Sequence, residues 1–262
     1  MEKGTRNNTM LKVDDIHLSF GGIKAIDGVS LEARQGEILA IIGPNGAGKT
    51  ALLNSICGFY RPQAGDIFFD GRRINDVPTY KRAKMGIARV FQNIELFTGL
   101  SSLENIMAGR HVRLKPHIFS SLIYFGWEHG KDLKHRKRCE DIVDILEMEA
   151  IRDKVVGTLP YGLRKRVELG RALALEPRLL LLDEPLAGMN MEEKEDMARY
   201  ILDVSEEWSE DISILLIEHN MDVVMDISDR IVVLDFGHVI AEGTPQEIRT
   251  NLRVIKAYLG EE

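Results

Sequence analysis

The 262-residue sequence predicts an α/β fold: a core of mostly parallel sheet, an N-terminal antiparallel β subdomain and an inserted α-helical subdomain. Three observations predict it. Leu179 to Leu182, Ile212 to Ile217 and Ile231 to Leu234 are short, nearly continuous apolar runs, the pattern of parallel strands covered on both faces. A glycine-rich turn separates an earlier apolar run, Glu37 to Ile42, from helical spacing over Lys49 to Cys57, so the core opens as strand, loop, helix. Helical patterns then dominate from about Ser102 to Leu175 before strand character returns. This places a helical insertion at about 93–176 within a single domain spanning 11–262.

The elements follow in order. Leu11 to Ile16 and Val29 to Ala33 read as short strands with the turn Phe20-Gly21-Gly22 between them, an antiparallel opening. The helix that starts at Lys49 stops at Gly58, a residue free of the Cβ penalty at a helix C-terminus. Asp66 to Phe69 with Asp70-Gly71-Arg72 forms a hairpin, and Ile87 to Phe91 a further strand. Cys139 to Met148 is helical within the insertion. Near the end, Thr244-Pro-Gln-Glu247 sets an N-cap threonine, a proline at the first helical position and a glutamate at the third, a capping box that opens a last helix.

Composition narrows the function. The apolar and charged fractions, 44% and 29%, are those of an ordinary globular domain, and no apolar run approaches the roughly 20 residues a membrane span needs. Met1 to Met10 is polar and lacks the apolar stretch of a secretory signal, so a cytosolic protein is expected. Cys57 and Cys139 have no metal-ligand spacing, and buried or idle thiols are expected. A net charge of −7 argues against a general nucleic-acid binder. Against that balance, Arg110 to Arg138 holds eight Lys or Arg (110, 113, 115, 131, 134, 136, 137, 138) with Glu128 and Asp132, interleaved with Phe119, Tyr124, Phe125 and Trp127. A solvated helical hairpin packed on its own aromatics is favoured over contact with anionic lipid.

Gly43-Pro44-Asn45-Gly46-Ala47-Gly48-Lys49-Thr50 matches G-x-x-x-x-G-K-[ST] in the strand-to-helix setting the motif requires, which makes the core a P-loop NTPase. The glycines let successive backbone N–H groups converge on phosphate oxygens at a helix N-terminus. Lys49 is placed to hold the β- and γ-phosphates of ATP, and Thr50 to ligand Mg²⁺. Arg178-Leu-Leu-Leu-Leu-Asp183-Glu184-Pro185 sets two acids at the C-terminal end of a buried strand, where ligands of parallel sheets collect. Asp183 suits a Mg²⁺ ligand; Glu184, one residue farther out, suits orienting or deprotonating the attacking water.

These pieces, with several others in the same order, resemble ABC ATPases over nearly the whole chain. The resemblance implies that Phe20 stacks on adenine, that Gln92 in Val90-Phe-Gln-Asn93 touches Mg²⁺ and water and senses the membrane subunit, and that His219 in Ile217-Glu-His-Asn220 contacts the γ-phosphate. Leu159-Pro160-Tyr161-Gly162-Leu163 stands where the family has Leu-Ser-Gly-Gly-Gln. In the family this loop caps a helix that faces the γ-phosphate bound by the other subunit. Pro160 offers neither hydroxyl nor N–H there, while the amides of Tyr161 and Gly162 remain to hold an anion in trans. A departure that weakens the partner's site implies a heterodimer. Asn190 stands where an Asp usually closes the segment after the catalytic acid; it retains a hydrogen bond across the dimer but no charge.

Gly188-Met-Asn190, Ile217-Glu-His219, Ile240-Ala-Glu-Gly-Thr-Pro-Gln-Glu247 and Ala257-Tyr-Leu-Gly260 are similar to the larger ATPase subunit of branched-chain amino-acid importers. That resemblance implies a second ATPase, permease subunits, an external substrate-binding protein acting indirectly, and a peripheral position on the inner face of the membrane. The ATPase of lipopolysaccharide export is a rival with a similar ending. Soluble ABC ATPases of repair or translation generally carry two ATPase units or long coiled coils, and a small-molecule kinase has no need of Gln92, His219 or the Gly162 segment.

Overall fold

The first two strands, β1 (Thr9–Phe20) and β2 (Ile23–Arg34), pair antiparallel across Gly21 and Gly22 in the computed structural model, which describes residues 9–112, 127–208 and 212–259. Both glycines have positive φ, 52° and 89°, as a tight two-residue hairpin turn demands. Both strands run longer than their apolar patterns predict. The excess comes from irregularities in the ladder, including Asp15 at φ 47°, which break strict alternation without ending the pairing. β4 (Ala64–Phe69) pairs with β1, and β5 (Arg72–Arg73) completes the predicted hairpin, giving a four-stranded antiparallel sheet β2-β1-β4-β5.

The second sheet has the order β10-β9-β3-β8-β7-β6, from β3 (Ile38–Ile42), β6 (Ile87–Val90), β7 (Leu179–Asp183), β8 (Ser213–Ile217), β9 (Arg230–Asp235) and β10 (His238–Gly243). It is parallel except for β10, which returns antiparallel to β9. Every residue of β3, β7 and β8 is buried, as continuous apolar strands require. The period-2 pleat divides their side chains. Leu179 and Leu181 pack with Leu52, Leu53 and Ile56 of α1 (Lys49–Cys57) and with Leu11, Val13 and Phe69 of the antiparallel sheet. Leu180 and Leu182 pack on the other side with Ile106, Ile142 and Leu169.

Those last residues lie on α3 (Ser102–Gly109), α4 (Trp127–Ile145) and α5 (Tyr161–Leu173), which fall between β6 and β7 as the helical pattern predicts. α2 (Thr79–Met85), α6 (Met191–Asp203), α7 (Met221–Ile227), α8 (Pro245–Arg249) and α9 (Leu252–Leu259) complete the helices named here. α4 stops three residues before Met148, because Glu147 takes φ 49° and turns the chain. The capping box at Thr244 and Glu247 opens α8 as read from sequence, and Ser101 with Glu104 opens α3 in the same way.

The basic segment is described only in part. Phe119, Tyr124 and Phe125 lie outside the described residues. Arg110 is buried, donating to His135 Nδ1 (2.9 Å) and the Ala174 carbonyl (3.2 Å), while Arg136 pairs with Glu140 (3.7 Å) and Arg138 with Asp141 (3.6 Å). These three arginines meet their counter-charges within the chain, Arg110 through Glu176. Cys57 and Cys139 are free and buried, and burial pushes the Cys139 thiol up to about 11. Among the described residues no helix is long and apolar enough to cross a membrane.

Candidate nucleotide site

The phosphate loop sits where β3 gives way to α1, and its shape depends on glycine. Gly43 (φ 149°), Gly46 (φ 84°) and Gly48 (φ 101°) all occupy backbone conformations that L side chains rarely adopt. A Cβ on Gly43 would collide with the Leu234 carbonyl oxygen of β9, and one on Gly48 with that of Ala25 in β2. The loop is thus wedged between both sheets. Gly48 caps α1 without a side chain, so the first amides of the helix have no side-chain acceptor from the cap. Lys49 is buried beneath the loop and donates to the carbonyls of Gly43 (2.7 Å) and Pro44 (3.0 Å). Burial lowers its ammonium pKa from the ordinary lysine value, and the nearby carboxylates of Glu184 and Asp183 oppose the shift. Thr50 follows it, exposed, on the first turn of α1.

Glu184 extends from the end of β7 with φ 50°, a strained conformation for a residue that is not glycine. Its N–H donates to the Ile217 carbonyl (2.9 Å), and its own carbonyl accepts from Ala187 (3.1 Å), so the kink is fixed from both sides. The carboxylate then gathers two predicted partners. Gln92 Nε2 donates to its Oε2 (2.7 Å), and His219 Nε2 lies 2.9 Å from its Oε1. Asp183 is nearly enclosed, and its Oδ2 accepts from Arg89 Nη2 (2.6 Å).

Three helpers were missed by sequence reasoning. Arg89 also donates to Asn54 Oδ1 of α1 (2.7 Å), bracing the acidic strand end against the phosphate-loop helix. Buried Glu218 accepts from the N–H groups of Leu186 (2.7 Å) and His219 (2.9 Å), tying the loop after Glu184 to the histidine loop. Lys165 of α5 donates to the Gln92 carbonyl (2.6 Å). The only signal was position: a charge inside a buried strand, beside a strand end, or on the apolar face of a helix.

The remaining predicted residues lie in other contacts. Phe20 is 45% exposed at the β1–β2 turn, its ring edge-on to Tyr60 at 4.9 Å and 68°. Tyr161 and Gly162 open α5 behind Pro160, which contributes no side-chain cap. Tyr161 packs against Gly188, and Gly162 lies so close to the Glu193 side chain that a Cβ there would displace its carboxylate. Asn190, read as a cross-dimer hydrogen-bonder, spends its Oδ1 on the Glu193 N–H (2.9 Å) as the N-cap of α6.

A carboxylate bracketed by an amide and an imidazole, facing a lysine rooted in a phosphate loop, on a sheet that is parallel but for one edge strand, defines the class: a P-loop nucleotide hydrolase. The family model for ABC transporters matches residues 26–187, and that for branched-chain amino acid ATP-binding cassette transporters matches 238–262. The chain is 38% identical over 252 residues to the high-affinity branched-chain amino acid transport ATP-binding protein BraF of Pseudomonas aeruginosa, covering 96% of this chain and 98% of the relative. It is 39% identical over 255 residues to LivG of Salmonella typhimurium, which carries the same description, with the same coverage. A crystal structure of a nucleotide-free ATP-binding cassette from an ABC transporter superposes with a TM-score of 0.82 at 31% identity, over 97% of this chain and all of that one. The chain belongs to the ABC transporter family, as an ATP-binding subunit whose hydrolysis of ATP is coupled to transport.

Proposed function

We propose that this subunit drives import of branched-chain amino acids, working with a second ATPase subunit on the cytoplasmic face of integral permease subunits that receive cargo from an external binding protein. The match over 238–262 and the descriptions of the relatives support the cargo. We treat 11–262 as one ATPase domain, with residues 93–176 as its helical subdomain. Beside the Gln92 loop, a groove of about 520 Å³ lined by Phe97, Ala108, Arg171 and Leu175 is the surface we assign to the permease.

In this reading the amides of Gly43 to Thr50 cradle the phosphates of ATP, Lys49 holds the β- and γ-phosphoryl oxygens, and Phe20 offers a ring face to adenine. Thr50, Asp183 and Gln92 are oxygen donors suited to Mg²⁺, which shares its coordination with phosphates and needs few protein ligands. Bound with ATP, the ion would neutralise phosphate charge. Glu184 takes a proton from the attacking water, Gln92 and His219 orient its carboxylate, and Lys49 with His219 stabilises charge on the transferred phosphoryl group. Tyr161 and Gly162 complete the site of the other subunit.

The observation that carries this reading is Glu184 hydrogen-bonded to Gln92 and within reach of His219. Glu184→Gln should retain ATP binding while turnover falls by about 10²–10⁴-fold, the ordinary contribution of a general base. Turnover at the wild-type rate would remove Glu184 from the reaction.

A further inference from the structure

Helix α5 buries a full positive charge. The Lys165 side chain is 1% exposed and that of Glu168, one turn on, 2%, with Nζ and Oε2 3.4 Å apart. A buried ion pair is poor evidence for stability, because desolvating two charges offsets their attraction. The remaining hydrogen bonds of this pair give it another role. Lys165 Nζ donates to the carbonyls of Phe91 (3.0 Å) and Gln92 (2.6 Å), and Glu168 Oε1 accepts from the Glu95 N–H (3.2 Å). Both ends of the pair therefore grip one short stretch, residues 91–95, and from that stretch the Gln92 amide reaches Glu184. One turn before Lys165 the same helix begins with Tyr161 and Gly162.

We infer that Lys165 and Glu168 are positioning residues of the ATPase reaction: they hold the Gln92 loop on α5 so that Gln92 meets Glu184, and they tie the Tyr161–Gly162 end of the helix to the carboxylate of the chain's own site. The inference rests on the assignment of Gln92 to that site. Glu168, whose carboxyl pKa is raised by burial and held back by Lys165, has the Glu95 amide as its other partner and leaves the lysine in place beneath the two carbonyls. If the pair only filled space, its loss would act independently of Gln92.

The test is a double-mutant cycle on the full chain, with steady-state ATP turnover measured for wild type, Lys165→Met, Gln92→Ala and the double variant. Lys165→Met should lower kcat about tenfold and leave KM for ATP within about twofold, and it should add no further loss once Gln92 is alanine. No loss from Lys165→Met, or the same fold-loss in both backgrounds, overturns the inference while Gln92→Ala stays impaired. Wild-type turnover in Gln92→Ala instead overturns the Gln92 assignment, and the inference falls with it. If Lys165→Met alone fails to fold, Lys165→Met/Glu168→Leu leaves no unpaired buried charge and enters the same cycle.

Discussion

Lys49 lies beneath the loop it serves, anchored by two carbonyls at 2.7 and 3.0 Å and flanked by two carboxylates that oppose the lowering of its pKa by burial. Lys49→Met removes the point charge and keeps most of the apolar stem, so equilibrium binding of a fluorescent ATP analogue should weaken by about 2–5 kcal/mol, with the melting temperature little changed. Gly43 presents the opposite case, in which a side chain is forbidden. A Cβ there meets the Leu234 carbonyl, so Gly43→Ala must move β9 or the loop, and thermal unfolding should register a loss of about 3 kcal/mol or more. Lys49 and Gly43 were legible in the sequence because the phosphate loop is a local motif whose spacing states its geometry. Arg89, Glu218 and Lys165 were not, since each acts on residues far along the chain: Arg89 on Asp183, Glu218 on Leu186, Lys165 on Gln92.

At the scale of elements, periodicity decided most of what was legible. Continuous leucine over 179–182 states burial on both faces, and β7 lies between β6 and β8 with side chains in both cores. Leu181→Ala should lower stability by about 2–5 kcal/mol in denaturant unfolding, because the cavity lies between α1 and the sheet, where collapse is limited. α6 escaped notice although Asn190 and Glu193 form a capping box at its start, since its exposed face is highly charged and its apolar stripe narrow. The join between α4 and α6 was beyond reach as well. Glu147, at the turn after α4, accepts from both Arg199 (2.8 Å) and Tyr200 (2.9 Å) of α6, and chiefly the Arg199 bond holds its carboxyl down at about 2 from the ordinary 4.5. A depressed carboxylate stabilises the fold above its unfolded pKa and loses that contribution as pH falls through the folded one. The denaturation midpoint should therefore drop between about pH 4.5 and pH 2, and Glu147→Gln should flatten that part of the curve.

For the whole molecule the proposed pairing implies a division of labour between two subunits. Pro160 begins α5 with no side-chain cap, and the loop it opens belongs, in the proposed pairing, to the partner's ATP. With the chain's own site silenced by Glu184→Gln, Pro160→Ser in the assembled transporter should raise the remaining turnover about tenfold, the scale of one added hydrogen-bond donor at the reacting phosphate or somewhat below it. An unchanged rate would place the proline outside the partner's site. By itself the sequence determined the α/β class, the phosphate loop, the acidic strand end and the family, because each is written in contiguous residues: a pleat of period two, a helix of period 3.6, a turn that needs glycine. Only the tertiary structure decided that Glu184 kinks toward Gln92 and His219, that Glu218 ties their loops together, and that Lys165 holds the Gln92 segment on α5. Those arrangements depend on chain segments 32 to 92 residues apart meeting within 3 Å, and such a meeting is set by the order of strands in a sheet and by which buried charges must find partners.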